Sequence, residues 1–463
     1  MMTSLMQPIQ KSKLPTRFLV LVLVTVATFT VNFYKLGEWS WDHDEVPSLM
    51  ELGVLETERA QGRFKEQLNR LPQLIPTWYS AQRLFLRVLP ADEFGTRVLS
   101  ALCGSLTVIL VYVFARRWRG HWFAAALTLL VGLNQCFVWL VQQNRFYSMA
   151  MLFFAISLAT IWSKSEKHLS IALLCAVSTV LAVLSHNLLA VVFWIGGIAA
   201  AMCLPLQVIP KAVGVRALLA SAVAFFTYLL YLRPLMMGWI SGGTGGTNEL
   251  VSFAAQLGIP TIALAMAGLA WSLRTLTRTD GFAWWLLVLL GGMAFVGLSS
   301  VLLGNWNPRY SLFFMFPFWI FAAYAVEQVA HRLEGHWHRI AWFACIAVLL
   351  MPKLLSHYRD GSRHDFRAAA SSVAALMEGN ETVYSNWPFT LEYYLKQYGS
   401  HHVEPWNRTT KDNQPSGFVV RATNAFTPLT RMPQGDIDLV DQIMTRRFDE
   451  QTHVIRIYRV RPR

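Results

Sequence analysis

The sequence has few charged residues for its length. Only 14% of its 463 residues are charged, whereas 54% are hydrophobic. A soluble protein has about 25% charged residues, so the composition indicates a membrane protein. Acidic residues are fewer than basic ones, with 27 Asp and Glu against 40 Lys and Arg, which gives a net charge of +13. The basic residues fall in small groups between apolar runs, so they follow the positive-inside bias and argue against a nucleic-acid partner.

Cysteine is rare in the sequence. The cysteines lie in or beside apolar runs without metal-binding spacing: Cys103, Cys136, Cys175, Cys203 and Cys345. We expect them to be small packing residues rather than a disulfide framework.

The glycine-rich run 241–247 lacks the Lys-Ser/Thr ending of a phosphate loop. It is expected to be a mobile outer loop that closes over substrate.

Long apolar runs dominate the chain up to residue 352. A membrane-spanning helix needs about 20 mostly apolar residues. The sequence predicts about eleven such helices, at 17–34, 97–115, 121–140, 147–162, 169–185, 188–205, 216–232, 256–273, 282–303, 310–327 and 340–352. The first follows several basic residues and precedes no convincing cleavage site, so we expect a retained signal anchor.

The density of Lys and Arg alternates between successive connections. If the N-terminus is cytoplasmic, each cytoplasmic connection carries at least two of them, and each short outer connection carries one or none. This orientation places the polar motifs on the outer side: 42–45, 142–147, 185–187, 241–248 and 305–310. Polarity on one side predicts a site that opens to the periplasm or the exterior.

Two regions outside the predicted spans have their own patterns. The first outer loop, 35–96, is long and amphipathic, which predicts helices lying in the membrane interface. After residue 352 the composition becomes that of a soluble protein, with predicted helices at 366–377, 390–398 and 436–448 and predicted strands at 382–385, 418–421 and 453–460. We therefore expect a membrane domain, 1–352, and a small outer α/β domain, 353–463, that acts as a scaffold or an acceptor-binding lid.

An acidic cluster follows the first apolar run directly. Asp42, Asp44 and Glu45 place three carboxylates within four positions. Like charges this close raise one another's pKa, which suits a general base or a metal-assisted site. A solvated helix cap just outside the membrane is the alternative interpretation.

Two arginines lie at the outer ends of apolar runs, each close to a tyrosine. These are Arg145 with Tyr147, and Arg309 with Tyr310. A guanidinium group presents a planar fork of donors that matches a phosphate. Snorkelling to lipid headgroups is the alternative, but two such arginines on the side of the carboxylates favour a shared anionic ligand. His186 interrupts an apolar stretch at the same level and is expected to contact substrate rather than act as a base.

The motifs, taken together and in order, resemble a known family. They are the Asp-Glu pair at 44–45 and the segments 92–102, 143–147 and 307–317. They look like the GT-C glycosyltransferases, in particular the branch of protein O-mannosyltransferases, lipid A aminoarabinose transferases and bacterial family 39 glycosyltransferases. The resemblance covers most of the chain, including the start of the terminal domain at 364–369. It implies a mainly α membrane protein, with a GT-C-like polytopic bundle, interfacial helices in the first outer loop and a small C-terminal α/β domain.

The resemblance also implies an activity. The family transfers a sugar from a polyprenyl-phosphate donor, with inversion, to an acceptor outside the membrane, which can be a protein, a lipid or a glycan. Asp44 would be the base that deprotonates the acceptor hydroxyl, with Glu45 as its neighbour and orienting group. Arg145 and Tyr147 would contact the lipid phosphate, and Arg309 would stabilise the phosphate as it leaves. These roles fit the chemistry, because inversion needs a carboxylate on the acceptor face of the sugar and a cation beside the departing phosphate.

Several points stay open in the sequence. Asp42 and Tyr310 complete the expected substrate contacts. Asp42 and Asp44 have Asp-x-Asp spacing, so binding of a divalent metal ion is an alternative that the sequence leaves open. The resembling branch mostly works without a metal, and no cofactor is expected. Departures from the family pattern at 44–48 and 75–79 leave the sugar and the acceptor open. The alternative functions are a transporter or flippase of lipid-linked sugars, although no internal repeat is visible, and a glycan polymerase or ligase.

Overall fold

The structure is a computed structural model of the chain. It describes residues 14–42, 45–55, 62–165, 168–236, 249–275, 281–303, 312–361, 363–378, 381–399, 403–405, 417–424, 436–446 and 452–461. The predictions for Asp44, Arg309, Tyr310 and the glycine-rich loop 241–248 lie outside these residues.

The described residues before the C-terminal domain form helices and the turns between them. The helices are α1 (Leu14–Phe33), α2 (Val46–Glu51), α3 (Gly62–Leu74), α4 (Pro76–Phe85), α5 (Glu93–Trp118), α6 (His121–Gly132), α7 (Gln135–Val141), α8 (Tyr147–Ile161), α9 (His168–Ser185), α10 (Leu188–Cys203), α11 (Lys211–Thr227), α12 (Arg233–Met236), α13 (Glu249–Leu257), α14 (Ile259–Ser272), α15 (Phe282–Leu303), α16 (Phe316–Arg332) and α17 (His336–Asp360). A short π-helical stretch, Tyr228–Leu232, joins α11 to α12.

The chain is a multi-pass membrane protein. Within the described residues, six helices are long and apolar enough to cross a membrane: Glu93–Trp118, His168–Ser185, Lys211–Leu235, Phe282–Ser299, Leu312–Arg332 and His336–Arg359. Helices α6 and α7 together form a seventh, bent candidate. Shorter apolar helices cover the other predicted spans: Leu21–Phe33, Tyr147–Ile161, Leu188–Cys203 and Ile259–Ser272. The polytopic helical fold is thus confirmed, and the count of about eleven crossings stays a prediction.

The predicted span 121–140 is a broken helix. Helices α6 and α7 meet at 62°. The side-chain oxygen of Asn134 accepts a hydrogen bond from the Phe137 N–H at 3.0 Å and so caps a new helix. Its side-chain nitrogen donates to the Gln256 carbonyl at 3.2 Å, which ties the break to α13. Helix α7 then ends at Val141, and the chain turns through the polar segment 142–146.

The first loop contains the helices that its amphipathic pattern predicts. Helix α4 begins with Pro76 in its first turn, where the missing N–H costs nothing. It buries Trp78, Tyr79 and Gln82. The Gln82 side-chain nitrogen donates to the carbonyl of Thr96 at 2.6 Å. Helix α4 therefore lies against the first turns of α5.

The C-terminal domain is a small α/β unit. Its elements are α18 (Phe366–Leu376), β1 (Thr382–Ser385), α19 (Pro388–Leu395), β2 (Val403–Pro405), β3 (Gly417–Asn424), β4 (Asp436–Arg446) and β5 (Thr452–Arg461). The sheet has the order β2-β1-β3-β5-β4, in which β1 is parallel to β2 and β3, and β5 is antiparallel to β3 and β4. Helices α18 and α19 contribute to an apolar core with the sheet.

The helix predicted at 436–448 is wrong, because this segment is strand β4. It pairs with β5 along its whole length, from Asp436 opposite Arg461 onward. The register shifts between Leu439 and Asp441. Such a bulge interrupts the alternation of side chains, so the apolar residues fall at helix-like spacing. The backbone partners supplied by β5 decide the structure here, against the local pattern.

Helix α17 crosses the domain boundary predicted at residue 352. It runs from His336 to Asp360 with Pro352 inside it. Gly361 follows it in the left-handed region, with φ of 70°, where glycine is favoured. One continuous helix therefore connects the bundle to the C-terminal domain.

Candidate functional site

One end of the bundle gathers the polar segments that the sequence singles out. The acidic segment, residues 36–46, follows α1, and its residues 43 and 44 lie outside the described part. Residues 142–146 join α7 to α8, 186–187 join α9 to α10, and 361–365 join α17 to α18. Hydrogen bonds and ring contacts connect these four segments, and we call their end of the bundle the site end.

Glu45 forms a buried ion pair with Arg97. Both side chains are 0% exposed. The Arg97 Nε donates to Oε1 at 3.0 Å and Nη2 donates to Oε2 at 2.7 Å, a bidentate geometry typical of strong pairs. Arg97 also donates to the carbonyl oxygens of Leu36, Trp39 and Ser40. Its guanidinium therefore holds the acidic segment against α5.

Glu45 also accepts hydrogen bonds from two backbone N–H groups. The Asn144 N–H donates to Oε1 at 2.6 Å, and the Asp42 N–H donates to Oε2 at 3.0 Å. Burial alone would raise the pKa of Glu45, but the positive charges of Arg97 and Arg363 and the bond from Asn144 hold it below its ordinary value. The ionised carboxylate thus joins the acidic segment, α5 and the chain between α7 and α8.

The lowered pKa of Glu45 predicts a specific response to acid. A carboxylate with a folded-state pKa below its unfolded value contributes stability above the unfolded value, about 4.3, and loses it as pH falls through the folded value. We expect the difference in thermal unfolding midpoint between the unmodified protein and Glu45→Gln to be largest at pH 7 and to shrink below pH 4. Thermal unfolding in detergent from pH 7 to pH 3 measures it. A difference that does not change with pH would contradict the ionised pair.

Arg145 lies in an aromatic cluster. Its guanidinium carbon is 4.9 Å from the ring centre of Phe146 and 5.8 Å from that of Tyr147, within cation–π range. The ring of His186 lies 5.3 Å from Phe146, 5.5 Å from Tyr147 and 4.8 Å from Phe313. Three predicted site residues, Arg145, Tyr147 and His186, are therefore brought together.

His186 is neutral in this cluster. It lies between helices α9 and α10, where burial and then the charge of Arg145 lower its pKa to about 3. Its Nδ1 accepts a hydrogen bond from the Leu188 N–H at 3.2 Å, as a neutral ring can. A group with so low a pKa is a weak base at neutral pH. The histidine thus offers an uncharged ring beside the guanidinium.

The first loop reaches the same cluster through Tyr79. The Tyr79 side chain is buried, and its hydroxyl donates to the Ser48 hydroxyl at 3.5 Å. Burial raises the pKa of Tyr79 to about 12, while Ser48 and the charge of Arg145 act in the opposite direction. The phenol is therefore neutral at physiological pH and within electrostatic reach of Arg145. Helices α2 and α4 supply these two hydroxyl groups.

Several buried polar atoms at the site end have no hydrogen-bond partner in the described part of the chain. They are the side-chain amide atoms of Gln143 and Asn144, the Ser148 hydroxyl and the Trp78 indole N–H. Buried polar groups in folded proteins are nearly always paired with protein, water or ligand. These atoms are therefore donors and acceptors available to a polar ligand or to ordered water.

Asp42 is placed against the C-terminal domain. Its side chain is 1% exposed, and Oδ1 lies 3.6 Å from Nδ1 of His364. The His364 ring in turn lies 4.3 Å from the ring of His453. Among the residues that the structure describes, no group of three or more His, Cys, Asp or Glu is arranged to hold a metal ion. The Asp-x-Asp hypothesis depends on Asp44, which lies outside the described residues.

The sequence did not identify Arg97 and Arg363 as partners of Glu45. Arg97 carried a signal, because it is an arginine at the start of the apolar run of α5, and a charged residue in a spanning segment is a functional-site hypothesis by default. Arg363 carried none, since a cation in a polar stretch is ordinary. The sequence also did not single out His357. In the structure, its Nε2 lies 2.8 Å from the side-chain oxygen of Gln142.

Solved structures resemble this architecture, although no protein-family model and no curated protein matches the sequence. ArnT from Cupriavidus metallidurans, in a crystal structure bound to undecaprenyl phosphate, aligns with 95% of this chain and 98% of its own, with a TM-score of 0.55 and 14% identity. At this identity the likeness shows a shared fold, and it agrees with the GT-C-like bundle and small C-terminal domain that the sequence motifs predicted. The oligosaccharyltransferase of Archaeoglobus fulgidus, crystallised with a tethered acceptor peptide, is also similar in fold, with 12% identity and a TM-score of 0.52 over 88% of this chain and 69% of that one. The AglB structure from the same organism, in complex with an inhibitory peptide and a dolichol-phosphate, matches over the same shares with a TM-score of 0.51 and 11% identity.

Proposed function

We propose that the protein is an inverting glycosyltransferase. It moves a sugar from a polyprenyl-phosphate donor to the hydroxyl group of a protein, lipid or glycan acceptor on the outer side of the membrane. Two proteins with the GT-C fold are solved with lipid phosphates, undecaprenyl phosphate in ArnT and a dolichol-phosphate in AglB, and this supports the choice of donor.

One observation carries the proposal within this chain. The 2.6 Å hydrogen bond from the Asn144 N–H to Glu45 joins the acidic segment to the chain between α7 and α8. Asp44 precedes Glu45 in the sequence, and Arg145 follows Asn144. A carboxylate for the acceptor and a guanidinium for the phosphate thus belong to two segments in direct contact, as general-base catalysis with charge stabilisation requires. Glu45 is the proposed orienting group.

The proposed reaction is a single displacement. Asp44 takes the proton of the acceptor hydroxyl, and the acceptor oxygen forms a bond to the anomeric carbon. The bond from that carbon to the phosphate oxygen breaks, and polyprenyl phosphate leaves. Arg145 and Arg309 neutralise the charge that develops on the phosphate. The other proposed substrate contacts are Asp42, Tyr147, His186 and Tyr310.

A transporter of lipid-linked sugars is the second candidate, and the broken span favours it. Transporters often form their sites where a spanning helix is interrupted. The break between α6 and α7 is such a place, and both side-chain amide atoms of Gln135 there are buried without a partner among the described residues. A transporter has no need of a general base, so the two candidates differ in what the loss of Asp44 does.

Binding of undecaprenyl phosphate to Arg145→Gln tests the proposed donor site. A charge-assisted hydrogen bond to a phosphate contributes about 1.5–3 kcal/mol, so we expect affinity to fall by about tenfold or more. The purified protein in lipid nanodiscs is titrated with undecaprenyl phosphate for this measurement.

Arg332→Gln is the matched control for Arg145→Gln. Arg332 also lies over an aromatic ring, 5.2 Å from the centre of Trp271, but it belongs to the last turn of α16, away from the acidic segment. We expect this variant to bind undecaprenyl phosphate as the unmodified protein does. Equal affinities for the two variants would mean that Arg145 only snorkels to headgroups.

A further inference from the structure

The acidic segment is held between the bundle and the C-terminal domain. On the bundle side, Arg97 binds its carbonyl groups. On the other side, the Trp41 N–H donates to the hydroxyl of Tyr394 at 2.8 Å. The Ser40 hydroxyl donates to the carbonyl of His364 at 3.0 Å. The two sides therefore fix the same short stretch of backbone.

Apolar packing covers the same interface. Trp41 is 0% exposed, and its ring centre lies 4.4 Å from that of Tyr393 in α19. Phe389, also in α19, packs against the small core that contains Val46 and Leu49 of α2. The C-terminal domain thus contributes side chains to the packing of the acidic segment.

A charged side chain from the C-terminal region, that of Arg363, reaches Glu45. Its side chain is 2% exposed, and Nη1 lies 3.5 Å from Oε2 of Glu45. Its carbonyl accepts a hydrogen bond from Thr445 of β4, and its Nε donates to the carbonyl of Gly361 at 3.0 Å. Burial lowers the pKa of Arg363 to about 10, so the group is still charged at neutral pH. Arg363 thus connects the sheet to Glu45.

Neutralisation of Glu45 does not require Arg363. Arg97 already neutralises Glu45 with two short hydrogen bonds. Burying a second guanidinium costs desolvation, which a contact at 3.5 Å offsets poorly. Asp42, the other carboxylate that acts on Arg363, lies beside His364. The Nη2 of Arg363 has no partner among the described residues. A contact that costs desolvation energy and is not needed to neutralise Glu45 points to a role in positioning Glu45.

We propose that Arg363 is a positioning residue for the transfer reaction. By holding Glu45 from the side of the C-terminal domain, it fixes Asp42 and Glu45, the two ends of the acidic cluster, against α5 and the segment 142–146. The site then reaches its working geometry only when the C-terminal domain is docked. This proposal rests on the proposed function, and it makes that domain part of the catalytic apparatus. Arg363 acts through Glu45 and touches neither the sugar nor the phosphate.

The test compares Arg363→Gln with Arg363→Lys and with a control, Arg459→Gln. Arg459 pairs with Glu381 at 3.1 Å inside the C-terminal domain, so its loss leaves Glu45 untouched. Three quantities are measured on the full chain: hydrogen exchange of backbone amides in residues 38–46, turnover of lipid-linked sugar in native membrane extract, and affinity for undecaprenyl phosphate.

We expect Arg363→Gln to raise exchange in 38–46 severalfold and to lower turnover by about 10–100-fold, because small misplacements of catalytic groups cost about that much. Affinity for undecaprenyl phosphate should stay within about threefold, since Arg363 does not touch the lipid. Arg363→Lys keeps the charge, and because Arg363 reaches Glu45 through one nitrogen rather than through a bidentate fork, lysine should recover part of both effects. Arg459→Gln should change neither exchange nor turnover.

Two results would overturn the proposal. One is unchanged exchange in 38–46 in Arg363→Gln. The other is that Arg363→Gln and Arg459→Gln lose turnover to the same extent and in proportion to their lowered unfolding temperatures, while Arg363→Lys recovers none of the turnover. If the unmodified protein transfers no sugar, the proposed function fails separately, and the exchange rates alone then support or overturn the contact between Arg363 and Glu45.

Discussion

Arg97→Met is expected to destabilise the protein by about 3–5 kcal/mol, the usual cost of breaking a buried ion pair by removing one partner. The reason is that Glu45 would stay 0% exposed, with only the 3.5 Å contact to Arg363 as a cation partner. The carbonyl groups of Leu36, Trp39 and Ser40 would lose their donors as well. Unfolding in mixed micelles by increasing fractions of SDS measures the change.

A double variant separates the charge from the geometry. The double variant that combines Arg97→Met with Glu45→Gln leaves no carboxylate at position 45 to be buried without its partner. We therefore expect it to be more stable than the single variant Arg97→Met. Sugar transfer should not return, because the acidic segment has lost its link to α5. A single variant, Arg97→Met, with unchanged stability would show that the pair is not buried as the structure has it.

Asp44→Asn is expected to lower sugar transfer by about 10²–10⁴-fold, the usual contribution of a general base. Asparagine keeps the size of the side chain and cannot take the proton of the acceptor hydroxyl. Because Arg145 and the aromatic cluster are untouched, affinity for undecaprenyl phosphate should stay within about threefold. Turnover of lipid-linked sugar in membrane extract and titration with undecaprenyl phosphate give the two quantities.

The separation of turnover from binding decides between the candidates. A transporter would move lipid-linked sugar across the membrane of proteoliposomes at similar rates in the unmodified protein and in Asp44→Asn, since no proton transfer from an acceptor is involved. Glu378→Gln is a suitable control, because Glu378 lies in the C-terminal domain and is largely exposed beside Arg459. Loss of lipid binding in Asp44→Asn, rather than of turnover, would contradict the role of base.

The sequence predicted which segments share an end of the bundle, because hydropathy and the Lys/Arg alternation are local properties. Two contacts support this part of the prediction: Asn144 with Glu45, and His186 with Tyr147. The resemblance added the roles of these residues, which stay proposals.

The ion pairs could not be predicted from the sequence. Glu45 binds Arg97, 52 residues away, and Arg363, 318 residues away. No spacing rule connects such positions, because the contacts arise from the packing of α5 and the C-terminal domain around the acidic segment. Strand β4 was missed for a related reason, since its bulge disturbs the local pattern and its hydrogen bonds come from β5.

The most direct test of the account is mass spectrometry of the lipid that copurifies with Asp44→Asn from native membranes. If Asp44 is the base and Arg145 holds the donor phosphate, the inactive protein should retain a polyprenyl-phosphate sugar. The double variant with Arg145→Gln should lose this lipid. Equal amounts of the same lipid in both variants, or ordinary phospholipids alone in Asp44→Asn, would contradict the central claim that these two segments form one donor site.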